Sequence, residues 1–195
     1  MSLFTIDDIH SAAIKETGAT NENDFSEKAD ALLLEQFIDQ ATVNRFDIYL
    51  THACSGKKVV VGTYCLLRKM GFTVYVDWIH DRHIDRTTIN PATADTLQQR
   101  MLQCESLMFI TTRRCTTSEW MPWECGYFDG HGGRVAILPI VDQPAETYEG
   151  REFLGFYPFI SRSHLGSGKN QLRIHNPREP ARSSFYENWI DGENP

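Results

Sequence analysis

The sequence predicts an α/β fold: a five-stranded parallel sheet with helices on both faces. Two observations carry this. Short apolar runs rich in β-formers alternate along the chain with segments of helical periodicity, the pattern of βαβ crossovers. Two of those runs, Met108–Thr111 (MFIT) and Val135–Ile140 (VAILPI), are almost continuously apolar, as strands buried on both sides are.

The elements follow in order. Ile6–Lys15 reads as a short helix, followed by a polar loop around Thr17–Asn23. Between Glu27 and Ala41, the residues Ala31, Leu34, Phe37, Ile38 and Ala41 recur at helical spacing, so this segment is an amphipathic helix. Phe46–Thr51 (FDIYLT) is the first strand of the main sheet. Lys58–Met70 is a helix with Val60, Val61, Tyr64 and Leu67 on its apolar face, and Gly71 stops it. Phe72–Trp78 (FTVYVDW) is the second strand, and Asp81–Asn90 a polar loop. Pro91 suits the first turn of a helix running to Cys104. Ser106–Thr111 is the third strand, Thr117–Phe128 a helix, Arg134–Ile140 the fourth strand and Gly155–Ile160 the fifth. Ser183–Ile190 closes the chain as a helix. The organisation expected is a helical extension over residues 1–42, a main domain over 43–165 and a C-terminal extension over 166–195 that packs on it.

Composition narrows the function. The 195 residues, 41% hydrophobic and 23% charged, suffice for one well-buried core. The net charge is −7, and the densest basic clusters are the pairs Lys57-Lys58 and Arg113-Arg114. That argues against nucleic acid as the main partner. The five cysteines (Cys54, Cys65, Cys104, Cys115, Cys125) are odd in number and form no C-x-x-C pair. They read as reduced, mostly buried thiols of a cytoplasmic protein rather than a disulfide framework or zinc ribbon. Met1–Lys15 lacks the basic and apolar regions of a secretory signal, and no apolar run is long enough to span a membrane, so no membrane partner is expected.

Five strands in this pattern suggest a flavodoxin-like order, in which ligands bind beyond the carboxyl ends of the strands. The segments to read are therefore Thr51–Lys57, Trp78–Asn90 and Thr112–Glu124. The last is the most informative. Pro122 has no amide hydrogen and must lie near the start of its helix, which then begins close to Ser118–Met121. Trp120 and Glu124 are four residues apart and share a face. An indole there can stack on a base or nicotinamide ring. A carboxylate can accept hydrogen bonds from ribose hydroxyls and stabilise positive charge developing on a sugar carbon. On spacing alone, a second reading stands beside this one: Trp120 and Trp123 as core anchors and Glu124 as a solvated helix residue. His80 and His83, set among Asp77, Asp81 and Asp85, would need a helix to converge on a metal, yet they follow a strand; no metal site is assigned.

The motif S-x-W-x-x-x-E (Ser118, Trp120, Glu124), within W-x-P-W-E-x-G-Y-F-D-G, resembles the catalytic helix of TIR (Toll/interleukin-1 receptor) domains that cleave NAD. The form is similar to that of bacterial stand-alone TIR proteins, in particular those of Thoeris anti-phage systems. The likeness spans residues 46–140. FDIYLTHACSGKK resembles the first TIR strand and its loop, and VYVDW with the polar stretch after it resembles the second strand and BB loop. The first loop departs from the usual S-H-S-x-x-D: Thr51 replaces a serine and the acidic position is missing, while His52 matches. The resemblance implies Glu124 as the catalytic residue. It implies Trp120, Ser118, His52, Ser55, Asp77 and Trp78 as substrate-binding candidates. NAD would be the substrate, with no separate cofactor. The nicotinamide is already a good leaving group, so one placed carboxylate can orient the ribose and stabilise an oxocarbenium-like transition state. Water as acceptor would give ADP-ribose, an internal adenine or ribose atom a cyclic isomer, and another acceptor a conjugate. The resemblance further implies TIR–TIR assembly through the BB region and a signalling product sensed by a separate effector.

Two alternatives remain at this stage. Nucleoside 2-deoxyribosyltransferases also use a glutamate near such a helix, and Glu124-Cys125-Gly126-Tyr127 looks similar to theirs. A TIR scaffold acting by self-association alone is the other, though such domains commonly lack the glutamate. A response-regulator receiver is excluded because Phe109–Thr112 offers no aspartate at the end of the third strand.

Overall fold

A computed structural model describes residues 1–39, 44–52, 56–81, 90–113, 120–150, 152–164 and 170–195. The chain opens with β1 (Phe4–Thr5), α1 (Ile6–Thr17) and α2 (Glu22–Asp39). The central run is β2 (Phe46–His52), α3 (Lys57–Lys69), β3 (Val74–Tyr75), α4 (Asp77–His80), α5 (Pro91–Met101), β4 (Cys104–Thr112), α6 (Trp120–Gly130) and β5 (Arg134–Val141). A 3-10 turn (Glu152–Phe156) leads to β6 (Phe159–His164), β7 (Asn170–His175), β8 (Ser183–Phe185) and α7 (Tyr186–Ile190).

The strands form one sheet in the order β3-β2-β4-β5-β6-β7-β8, with β1 against β5. The pairs from β3 through β6 are parallel, and β6-β7-β8 is antiparallel. The order β3-β2-β4-β5-β6 is consistent with the flavodoxin-like arrangement expected. The strand number is not: among the described residues the sheet has eight strands instead of five. β7 and β8 carry little apolar content of their own. In β7, Leu172 and Ile174 are buried on either side of half-buried Arg173, a period-2 signal only two residues strong.

Other boundaries also shift. The second strand is shorter than Phe72–Trp78, because Asp77 already begins α4. α5 ends at Met101, and Cys104 belongs to the next strand. Within Gly155–Ile160 the turn runs to Phe156, and pairing begins at Phe159. Ser183–Phe185 is strand, leaving the last helix only Tyr186–Ile190. Two helix signals read from the sequence act locally: Pro91 lies in the first turn of α5, and Gly71 follows α3 with φ +104°; the structure adds a Thr5–Asp8 capping box at α1 and Asn90 as the cap of α5.

Strand alternation divides the core between two faces. Ile48, Leu50, Met108, Ile110, Ala136 and Leu138 pack with α1, α2, α3 and α7. Tyr49, Leu107, Phe109, Val135 and Ile137 pack with α5 and α6. Because β2, β3, β4 and β5 are parallel, their carboxyl ends share one edge, and α6 lies close to that edge on the second face. No helix among the described residues is long and apolar enough to cross a membrane.

Candidate active site

Period 2 along β2 sends Tyr49 and Thr51 to the same side, toward α6. There they meet Glu124. The Tyr49 hydroxyl donates to Glu124 Oε1 at 2.8 Å, and the Thr51 hydroxyl donates to Oε2. The Glu124 side chain is completely buried. Leaving a carboxylate in such a place without hydrogen bonds would be costly, so its two hydroxyl partners are a physical condition of its being there.

These partners are themselves held. The Tyr49 ring stacks on Tyr75 with centroids 5.0 Å apart. The Tyr75 hydroxyl donates to Asp81 Oδ2 at 2.8 Å, and Arg100 binds both oxygens of Asp81 at 2.7 and 3.0 Å. Burial, and then the Asp81 charge, push the Tyr75 hydroxyl far above the usual tyrosine range, so it stays a donor. Cys125 follows Glu124 in α6. Burial, with the Glu124 charge next, pushes its thiol well up, which makes it an inert apolar neighbour and no nucleophile.

The other expected site residues fall as follows. His52 ends β2, and its Nε2 lies 3.5 Å from Asp77 Oδ1 at the start of α4. Adjacent strand ends thus bring these two together. Trp120 is 7% exposed and meets Trp123 edge to face, with centroids 5.6 Å apart. Trp123 in turn stacks on Tyr127. In this state Trp120 is a buried residue in the first turn of the helix that carries the carboxylate, more than an open stacking surface. Trp78 lies on α4. Ser55 and Ser118 lie outside the described residues, as do Cys54, Cys115 and His83. Among the described residues, no three His, Cys, Asp or Glu side chains cluster as a metal site would require. His80 packs instead: its ring stacks on Tyr75, and Nδ1 lies 2.9 Å from the Val76 carbonyl oxygen.

Sequence reasoning missed Tyr49 and the function of Thr51. Strand parity would have placed both on one face. Which helix that face meets depends on the register of α6 over β2, and nothing local encodes it. Asp81 and Arg100 were missed for the same reason, being 19 residues apart.

As a whole, the arrangement fixes one carboxylate by two hydroxyls near the carboxyl edge of a parallel sheet, and the ends of adjacent strands bring a histidine and an aspartate together. Such a carboxylate can bind sugar hydroxyls and stabilise a cationic sugar carbon. No protein-family model matches the chain. Over 194 residues it is 34% identical to a protein of Bacillus cereus (strain MSX-D12) named "Probable 3' cyclic ADP-D-ribose synthase ThsB'". That match covers 97% of this chain and 98% of the relative.

Proposed function

Since the chain belongs to the family of the Thoeris TIR cyclic ADP-ribose synthases, we propose that it cleaves the nicotinamide–ribose bond of NAD and closes the remaining ADP-ribose into a cyclic signalling nucleotide. The observation that carries this is the identity to a cyclic ADP-D-ribose synthase over nearly the full length of both chains. The buried carboxylate of Glu124, with its two hydroxyl donors, supports assigning the chemistry to that residue.

Glu124 is the catalytic residue in this reading. Its carboxylate takes hydrogen bonds from the ribose hydroxyls of the nicotinamide half. As the bond to nicotinamide stretches, positive charge grows on the sugar carbon, and the fixed negative charge stabilises it. The electron pair of the breaking bond goes to the nicotinamide nitrogen. An internal ribose hydroxyl of the adenosine half then bonds to that carbon and loses its proton, so NAD gives nicotinamide, the cyclic product and one proton. A site closed to water favours ring closure over hydrolysis to ADP-ribose. A 3' linkage, as in the relative's name, is the expected isomer. NAD is the substrate, and no further cofactor is needed, because the departing nicotinamide already carries the charge that makes it leave. His52, Asp77, Trp78 and Trp120 contribute to the nucleotide pocket, with Ser55 and Ser118 from the adjoining segments. The protein acts in the cytoplasm. It assembles with copies of itself on activation, and its product is read by a separate effector during phage infection.

The test is to incubate the full-length chain with NAD, alone and with lysate of phage-infected cells, and to identify products by mass spectrometry. The expected result is nicotinamide plus a cyclic ADP-ribose isomer, with no base exchange on deoxynucleosides. Glu124→Gln is expected to lower turnover at least about a hundredfold, the scale of losing one preorganised electrostatic group, with an unchanged melting temperature. Full turnover by a folded Glu124→Gln protein would refute the assignment.

A further inference from the structure

We propose that Tyr49 and Thr51 are positioning residues for the reaction: their two hydroxyls, side by side on β2, set the orientation of the Glu124 carboxylate. This rests on the reading of Glu124 given above. Each hydroxyl takes a different carboxylate oxygen, Tyr49 holding Oε1 and Thr51 holding Oε2. Two bonds to two oxygens fix the plane of the group as well as its place, which one bond cannot do. A carboxylate has about four acceptor positions, so each oxygen can accept more than the one hydroxyl named here.

Both donors are rigid. Tyr49 and Thr51 are each 1% exposed. Thr51 is β-branched and sits in the long pairing of β2 with β4, opposite Phe109, which limits its rotamers. Tyr49 is clamped by the stack on Tyr75, and Tyr75 by its bond to Asp81. The glutamate is on a helix and its donors are on the sheet, so the pair of bonds also locks the register of α6 over β2. Apolar residues would fill this space with less desolvation cost. A charge kept here, and held at both oxygens, fits a group whose orientation matters to the chemistry. Displacements of about 1 Å in such a group cost on the order of a hundredfold in rate.

The experiment is steady-state NAD turnover by the full-length chain, in the conditions where the parent is active, together with melting temperatures. The variants are Tyr49→Phe, Thr51→Val and Thr51→Ser, with Glu124→Gln as reference. Tyr49→Phe and Thr51→Val are each expected to lower kcat by about 10- to 100-fold with KM within about threefold, the signature of an interaction made in the transition state. Thr51→Ser keeps the hydroxyl and is expected to stay within about threefold of the parent. A structural role alone would lower the melting temperature without this split and without rescue by serine. Should Thr51→Val fail to fold, Thr51→Cys takes its place, since its thiol is of similar bulk and a weak donor. Parental kcat in Tyr49→Phe and in the folded Thr51 variant that lacks the hydroxyl, beside an inactive Glu124→Gln, overturns the proposal while leaving the catalytic assignment standing. An active Glu124→Gln overturns the assignment itself, and the positioning role with it.

Discussion

Asp81 is 5% exposed, and the bonds from Arg100 Nε, Arg100 Nη2 and the Tyr75 hydroxyl make its charge tolerable there. Arg100 also answers to it: donating to the Asp81 carboxylate pushes the guanidinium further toward its charged form. Arg100→Met removes both arginine bonds and leaves the Asp81 carboxylate inside the protein. The expected cost is about 2 kcal/mol in urea unfolding, below the roughly 3–5 kcal/mol of a fully buried pair, because the Arg100 side chain is 32% exposed. Asp81→Asn with Arg100→Met should cost clearly less than the two single changes summed; strict additivity would mean that the pair is not coupled. At this scale the sequence was half legible. Glu124 stood out because its partners in the pattern, Trp120 and Ser118, are close in sequence. Its physical partners are 75 and 73 residues away, so Tyr49 and Thr51 carried no such mark. Thr51 was noticed only as a departure from a serine.

Between elements, α1 comes close to α3 at Gly62. A Cβ there would lie 2.1 Å from the Ile9 carbonyl oxygen and 2.8 Å from Ile9 Cγ2. A helical glycine exchanged for alanine is normally stabilising by about 1 kcal/mol through propensity. Here the sign reverses. Gly62→Ala must push α1 away from α3, and overpacking of this kind costs about 1–3 kcal/mol. Urea unfolding of Gly62→Ala checks this, and a stability equal to or above the parent's would show that α1 is not seated as described. The helices of this face were legible from their own residues: the apolar spacing of α2 and α3 and the turn at Gly71. Their docking was not, because Gly62 looks like any helical glycine until Ile9 is beside it. The same holds for the sheet. The buried parallel strands are dense in apolar residues and announce themselves, whereas β8, with the residues Ser183, Ser184 and Phe185, exists only because β7 is there to pair with.

Across the whole molecule, three imidazoles share one electrostatic situation. Burial pushes His10, His80 and His175 below the ordinary histidine value. Lys58 adds to the effect at His10. Bonds to the Val76 and Pro180 backbones oppose it at His80 and His175 without reversing it. They belong to distant parts of the fold: α1, α4 and β7, where His175 stacks on Phe159 and meets Ser161 at 2.7 Å. Each therefore binds a proton more readily in the unfolded chain than in the folded one, and stability rises with pH wherever that difference is filled. The stability these groups confer is intact above the unfolded value of about 6.5 and is lost as pH falls below it toward their folded values. Asp8 acts in a separate window. Burial alone would raise its carboxyl, but Thr5 and Arg162 outweigh that and hold it below the usual 3.8, so its share is lost only in stronger acid. Unfolding by urea at pH 7.5, 6.5 and 5.5 should thus show stability falling by about 1–2 kcal/mol across the range, with partly exposed His10 contributing least because solvent screens it. His175→Gln should flatten the slope even where it lowers stability at pH 7.5, since it removes one of the protons taken up on unfolding. A stability that is level or rises as the pH drops from 7.5 to 5.5 would mean that these imidazoles are not buried as neutral groups.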